Sequence, residues 1–541
     1  MPITQDDIRF RASQRMTDFD DGGGRMSDVV IVDGQDNNVF DDVTDLEYLT
    51  GKLSLRKIFG AALNADQAAY LSAHVLLDDE PDYAPVSAFV FAHGGVTGER
   101  SAALAALRNT SSALSAAVYG AIGGTASSSS AVITGFTISD TGLLDSGIGQ
   151  WFLLQHTDAG NDRVALRRLI SRDTNDLTFN AAPPWSGTTA VSRVNQFPNA
   201  TADSRVYGLA VLPSGAAEDD TSVTATSLLV RVAPLPDGGI AGPGAVTLPG
   251  FGLLAPYDVS AGFVPVFLPG DLLLVHHTDP EAPQTVSNAQ TVDVGRTNLA
   301  RLRVIGNNGT EHARYVAGQP DPAVPGISCD LAAGTVTFSD VSGLSQPVTI
   351  EHRIEEMAVA SSVNLGTGVV GLNRGLGRTY PAGTKISSIL MLGDLQGRPT
   401  NVAFAQQAWT GVWSDSRIGG EPLADFNIAG HPIQCTNAGA VTERWALIFT
   451  NTTSFRIVGE QLGEVGTGTT GADCEPLNPA TGEPYFSVAA AGWGGGWSNG
   501  NVLRFNTAGA NAPVWIGRCV APAAPGGDDS VTPQLRGFVN T

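Results

Sequence analysis

Short apolar runs, broken by Gly, Pro, Asp and Asn, recur along most of this chain. Their length and their β-branched content fit strands better than helices. Between about 131 and 390 the pattern predicts strands at 131–138, 151–156, 164–170, 222–232, 271–276, 299–305, 335–338 and 348–354. Turn signals such as Asp237-Gly238-Gly239, Pro269-Gly270 and Asn307-Asn308-Gly309 separate them. Further strands are predicted at 445–450, 454–458, 486–490, 502–505 and 514–519, with Gly-rich loops between.

The first 115 residues read differently. A Gly/Asp/Asn-rich stretch surrounds one short strand at 29–32, and 53–63 mixes apolar with basic residues. Two strands, 73–77 and 86–91, flank a loop holding Pro81 and Pro85. Residues 99–108 predict a helix: they are Ala/Leu-rich, follow Thr97-Gly98, and carry Glu99 early and Arg108 late. The Ser/Ala/Gly-rich run 111–130 reads as a linker, or as an arm that orders on assembly. Two segments echo each other. Trp151 to Asp158 and Leu272 to Asp279 both end in His-Thr-Asp, and each is followed by a strand with two Arg, which suggests a duplicated β module.

At 541 residues the chain exceeds one ordinary core, and domains of roughly 100–200 residues suggest about three to five units. The expected fold is mainly β, with several β-sandwich or barrel-like modules and a small α/β N-terminal region. The expected divisions are 1–115, an N-terminal docking region; 116–235, a first β module that begins with the linker; 236–390, a second β module; and 391–541, a C-terminal Trp/Gly-rich β domain.

Composition supports a folded, turn-rich chain: 42% of residues are hydrophobic, 16% are charged, and Gly and Pro number 64 and 31. The net charge of −22 repels phosphate backbones, so nucleic acid is excluded as a partner. Lys occurs only at 52, 57 and 385; Arg supplies the remaining cations and suits buried ion pairs. Cys329, Cys435, Cys474 and Cys519 lack metal-site spacing and read as free thiols. The N-terminus has no basic-then-apolar leader, and no run approaches membrane-spanning length. Synthesis in a bacterial cytoplasm, without Sec export or membrane insertion, is expected.

Candidate chemistry is sparse. No nucleophile elbow, zinc-protease motif, P-loop or dinucleotide fingerprint occurs, so no catalytic residue, cofactor or metal site is expected. His276 and His277 are adjacent on a predicted strand and point to opposite faces, which disfavours a shared ion. Six of the eight Trp lie beyond residue 400. Trp493, Trp497, Trp413 and Trp409 are the candidates for an interface or for stacking on a sugar; for the Trp493–Trp497 cluster, core packing in a tight, Gly-permitted loop is the plainer alternative.

Three segments carry a family resemblance. They are Arg15 to Leu77, the Pro269 to Gly306 region with its LLLVHHTD and RTNLARLRVIG runs, and the C-terminal stretch containing RWALIFTNTTSFRIVGEQLGEVGTG and GWGGGWSNGNVLRFNTAGANAPVW. Together they resemble a tail-tip or baseplate structural protein of Mu-like, transposable siphophages and related prophages. The resemblance implies a virion component that forms a ring of three or six copies and contacts other tail and baseplate proteins. Tail fibres or host surface glycan are further partners it implies. It supplies no catalytic residues. Two rivals stay open: an adhesin that reads glycan through residues 391–541, and a polysaccharide- or peptidoglycan-cleaving enzyme.

Overall fold

The computed structural model describes residues 3–32, 35–83, 85–111, 124–135, 148, 151–158, 161–183, 185–193, 205–226, 228–232, 246–248, 252–254, 262–318, 321–364, 367–520, 523–527 and 529–539. The fold is mainly β, with 48% strand and 4% helix spread over several sheets. No helix among the described residues is long and apolar enough to cross a membrane.

Both ends of the chain build one sheet. Its strand order is Val206–Tyr207, Val86–Phe91, Asn511–Val520, Lys52–Ala62, Ile8–Arg15 and Gly23–Val30. A second sheet places Tyr70–Asp79 between Leu390–Leu395 and Thr532–Val539. Ile58, Val75, Val90, Leu390, Val514 and Ile516 form an apolar core between these two sheets. The strand pairings therefore cross the division expected at 391. Asn511–Val520 and Thr532–Val539 pair with strands from the first hundred residues.

Lys52–Ala62 lies in the middle of its sheet and is buried along nearly its whole length. It therefore shows no alternation of apolar and polar residues, because both of its faces leave water. Gly517 stands opposite Phe89 across the Asn511–Val520 pairing. A Cβ there would meet the Phe89 ring at 2.1 Å, so only glycine lets that ring cover the strand.

The largest sheet runs Leu209–Leu212, Thr384–Ser388, Leu272–Pro280, Val348–Asn364, Arg301–Gly306, Glu311–Val316. Its spine is the 17-residue strand Val348–Asn364, which also pairs with Val369–Leu372 beyond a register shift at Ala360. Leu302, Val304 and Ile350 pack with Val336, Phe338 and Ile327 of a three-stranded sheet, making a sandwich. The Tyr315 hydroxyl ties the two layers by donating to the Ile327 carbonyl at 2.8 Å. The expected helix is present as Arg100–Ser111 and sends Ala103, Leu104 and Leu107 into this core.

Six strands close a barrel: Gly124–Ser127, Ser130–Thr134, Trp151–Asp158, Asn161–Asp173, Asp176–Phe179 and Gly187–Arg193. The second half of the Ser/Ala-rich run is thus a β-hairpin rather than a linker, with Ala126 and Ile133 buried inside. The rest of that run, 112–123, lies outside the described residues. The duplicated module is not built. Trp151–Asp158 forms a hairpin with Asn161–Asp173 in the barrel. Leu272–Pro280 instead pairs with Val348–Asn364, which separates it from Arg301–Gly306. Matching short motifs therefore serve different pairings.

The C-terminal sheet orders Arg398–Pro399, Val502–Ala508, Glu443–Phe449, Ser454–Gly459 and Gly463–Thr469, with Phe404–Gln406 also on Val502–Ala508. Residues 486–490, expected as a strand, make only isolated bridges, Ser487 to Gln434 and Val488 to Cys474. Their apolar side chains fill the core beneath the sheet without joining it: the Phe486 ring meets Trp445 edge-on at 4.9 Å. The expected strand at 222–232 is split into Ser222–Thr224 and Leu229–Val232, which pair with different partners.

Candidate functional site

The four candidate tryptophans fall on opposite faces of the C-terminal sheet, because side chains alternate along Glu443–Phe449. Trp445, Leu447 and Phe449 face one core, which includes Trp497 and touches Trp493. Ala446 and Ile448 face the other side, where Trp409 and Trp413 pack.

Trp497 is 3% exposed and stacks on Phe449 at 4.3 Å with the planes 10° apart. Trp493 meets Phe426 at 4.9 Å and Trp497 at 5.3 Å, both edge-on. Gly492 lets the chain pass close to these rings, since a Cβ there would meet Phe426 at 2.6 Å. Rings held this way are packing elements, and the faces that would grip a sugar are taken by other aromatics. Neither indole N–H has a hydrogen-bond partner among the described residues.

Trp409 and Trp413 lie edge to face at 5.0 Å and are half-buried. The Arg504 guanidinium sits 5.6 Å and 5.8 Å from their ring centres and 5.8 Å from Phe404. Three aromatic faces thus surround one buried cation, an arrangement worth more out of water than in it. Exposed Val402, Val412 and Leu423 lie in the surrounding loops.

The histidines behave as strand neighbours. His277 bonds Asp279 through Nε2 at 2.6 Å and lies 3.2 Å from Thr384 Oγ1 through Nδ1. His276 is buried on the opposite face, with Nδ1 3.8 Å from Asp78. Among the described residues no group of three or more His, Cys, Asp or Glu is placed to hold a metal ion. Cys329, Cys435 and Cys474 are free thiols, and burial pushes them up to about 12. Such thiols are poor nucleophiles at neutral pH.

Residues 1–115 are expected from the sequence as a docking region, with no single residue of it marked as a site. Gly23–Val30 ends its sheet: among the described residues it pairs with one strand, Ile8–Arg15, while its start is bridged on the outer side to Glu99, with the Gly24 N–H donating to the Gly98 carbonyl at 3.1 Å. Phe19, Val29 and Val32, on this strand or close to it in sequence, are each more than half exposed. The segment before the edge strand is fixed from below. Asp18 accepts from Ser54 Oγ at 3.1 Å, pairs with Arg56, and lies 3.2 Å from Lys52 Nζ. Burial raises the Asp18 carboxyl, but the Arg56 hydrogen bond and the charges of Arg56, Lys52 and Arg100 outweigh it, leaving the group below its usual value. A Thr44–Glu47 capping box starts the short helix Asp45–Thr50, which carries Leu46 and Leu49. Beyond that bridge, a terminal strand flanked by exposed apolar side chains is a surface suited to pairing with another chain.

No family model matches the chain, and no curated protein matches it. Among solved structures, the chain is weakly similar to that of the infectious bursal disease virus Gt strain, with 10% identity, coverage of 89% of this chain and 83% of that one, and a TM-score of 0.09. A mutant VP2 protein of the same virus, in derived T=1 particles, gives 10% identity, coverage of 84% and 78%, and a TM-score of 0.09. Scores this low carry no argument about fold or function.

Proposed function

We propose that this chain is a structural virion protein of a phage tail tip or baseplate. In this reading it is made in the host bacterial cytoplasm and forms a ring of three or six copies that links the tail tube to the adsorption apparatus. The observation that carries the reading is the terminal strand Gly23–Val30, whose outer edge is bridged only at its start, with Phe19, Val29 and Val32 exposed on or close to it in sequence. A free edge of that kind invites aggregation unless a specific neighbour covers it, and a closed ring covers every edge. The resemblance of the N- and C-terminal sequence runs to Mu-like tail-tip proteins gives the edge its setting. Mass spectrometry of purified particles tests the proposal. The chain is expected at a fixed ratio to the tail tube protein, in multiples of three or six copies per tail. Its absence from washed particles refutes the proposal.

A second reading, a receptor-binding adhesin, is favoured by one feature: the half-buried Trp409 and Trp413 beside exposed Val412. In that reading these loops meet host surface glycan. Binding of the full chain to a glycan array, weakened by Trp413→Ala, is its expected result.

A further inference from the structure

A cleft of about 1050 Å3 lies between the largest sheet and the strands Tyr70–Asp79 and Thr532–Val539. The chain as a whole carries −22, yet seven residues lining this cleft are Arg or Lys and five are Asp or Glu. A local excess of positive charge within an acidic protein needs a physical reason.

The excess centres on two arginines. Arg301 and Arg353 are direct partners across the antiparallel pairing of Arg301–Gly306 with Val348–Asn364, so both point to the same side of the sheet. Like charges placed directly opposite each other weaken a sheet unless counter-charges neutralise them. The carboxylates present are heavily shared. Asp78 takes Nη1 of Arg353, and Glu355 takes its Nε at 3.1 Å. Glu355 also binds both terminal nitrogens of Arg536, at 2.8 and 3.1 Å. Glu351 serves Arg301 at 3.0 Å and Arg303 at 3.1 Å. Four guanidinium groups thus divide three carboxylates, with Glu311 assisting only Arg303 and the flanking Arg314.

Two donors remain over. Arg353 is 1% exposed, and its Nη2 is buried with no hydrogen-bond partner among the described residues; the same holds for Arg301 Nε. A buried charged donor without an acceptor carries an uncompensated desolvation cost. His276 lies behind them and brings no opposing negative charge. Burial and the nearby Arg353, Arg536, Lys385 and Arg301 charges hold its ring well below its usual value, hence neutral.

We propose that the cleft binds a small oxyanion, a carboxylate or phosphate group, at the Arg301–Arg353 pair, whose side chains shift to bring their unpartnered donors onto its oxygens. Planar guanidinium groups suit such anions because their N–H vectors match the spacing of the two oxygens. The anion completes the charge balance of the arginine pair, and its binding stiffens the contact between the largest sheet and the terminal strand Thr532–Val539.

The test is calorimetric titration of the full-length chain with inorganic phosphate and, separately, with succinate. The expected result is saturable binding of at least one of them, weakened about tenfold or more by Arg301→Gln, the loss of one charge-assisted bond. Arg301→Lys, which keeps the charge but lacks Nε, is expected to weaken binding as well. Arg314→Gln, which removes a lining charge already paired with Glu311, is expected to leave affinity within about twofold. Absence of binding by either anion at millimolar concentration overturns the proposal. So does equal weakening by the Arg301 and Arg314 variants, which would indicate a diffuse field rather than a clamp.

Discussion

Lys57 stands directly opposite Trp515 across the pairing of Lys52–Ala62 with Asn511–Val520, with its ammonium 5.9 Å from the indole centre. The same nitrogen lies 2.8, 3.0 and 3.1 Å from the carbonyl oxygens of Gly95, Val96 and Gly98, donating to all three when protonated and to two of them as the neutral amine. One fully buried side chain therefore joins the N-terminal strand, the C-terminal strand and the loop that leads into the helix Arg100–Ser111.

Replacing Lys57 by Met removes the donor and leaves three carbonyls without it. The expected loss is about 1–3 kcal/mol of unfolding free energy, read by chemical denaturation. The pH dependence has a defined sign. Burial, assisted by the Arg15 and Arg25 charges, pushes Lys57 down to about 7 from 10.5. Between those values the unfolded chain holds a proton that the folded chain lacks, so this group makes stability rise with pH. The difference in stability between wild type and Lys57→Met is expected to grow from pH 7 to pH 10.

Asp18 gives the opposite window. Its carboxyl lies below the usual value, so its contribution is present above the unfolded pKa and fades as pH falls through the folded one. Asp18→Asn is expected to cost about 1–3 kcal/mol at neutral pH, because Arg56 stays buried without its counter-ion. The same comparison at about pH 2 is expected to show a much smaller difference.

These two residues also mark where the sequence is hard to read. Residues 53–63 show basic residues among apolar ones because Arg56 and Lys57 are inside the protein, each with its own partners. A strand buried on both faces loses the period-two signal that made 335–338 and 301–306 easy to find. The long-range pairing of 52–62 with 511–520 has no local signature, since pairing register is a tertiary property. In the Trp-rich region, composition pointed to a surface for contact. The Gly residues there let the backbone pass close over Phe426, which packs the loop tightly.

Trp497→Ala is expected to lower stability by about 3–5 kcal/mol, as removal of a fully packed aromatic does. Trp497→Phe is expected to be much milder, because the indole N–H has no partner to lose. Thermal melts of both variants check this, and equal losses would contradict it.

The edge strand makes a separate prediction. Val29→Lys combined with Val32→Lys places charges on an exposed border and is expected to change the melting temperature little. In the ring-forming reading the same pair of changes lowers the mass of the assembly measured by analytical ultracentrifugation, because a charged edge resists pairing.

The most direct measurement of the central claim is electron cryo-microscopy of intact virions with this chain located in the density. A closed ring of three or six copies is expected at the tail tip, with the outer edge of Gly23–Val30 covered by a neighbouring subunit. Particles whose tail tip is fully accounted for by other chains would contradict it, as would a ring in which that edge faces solvent.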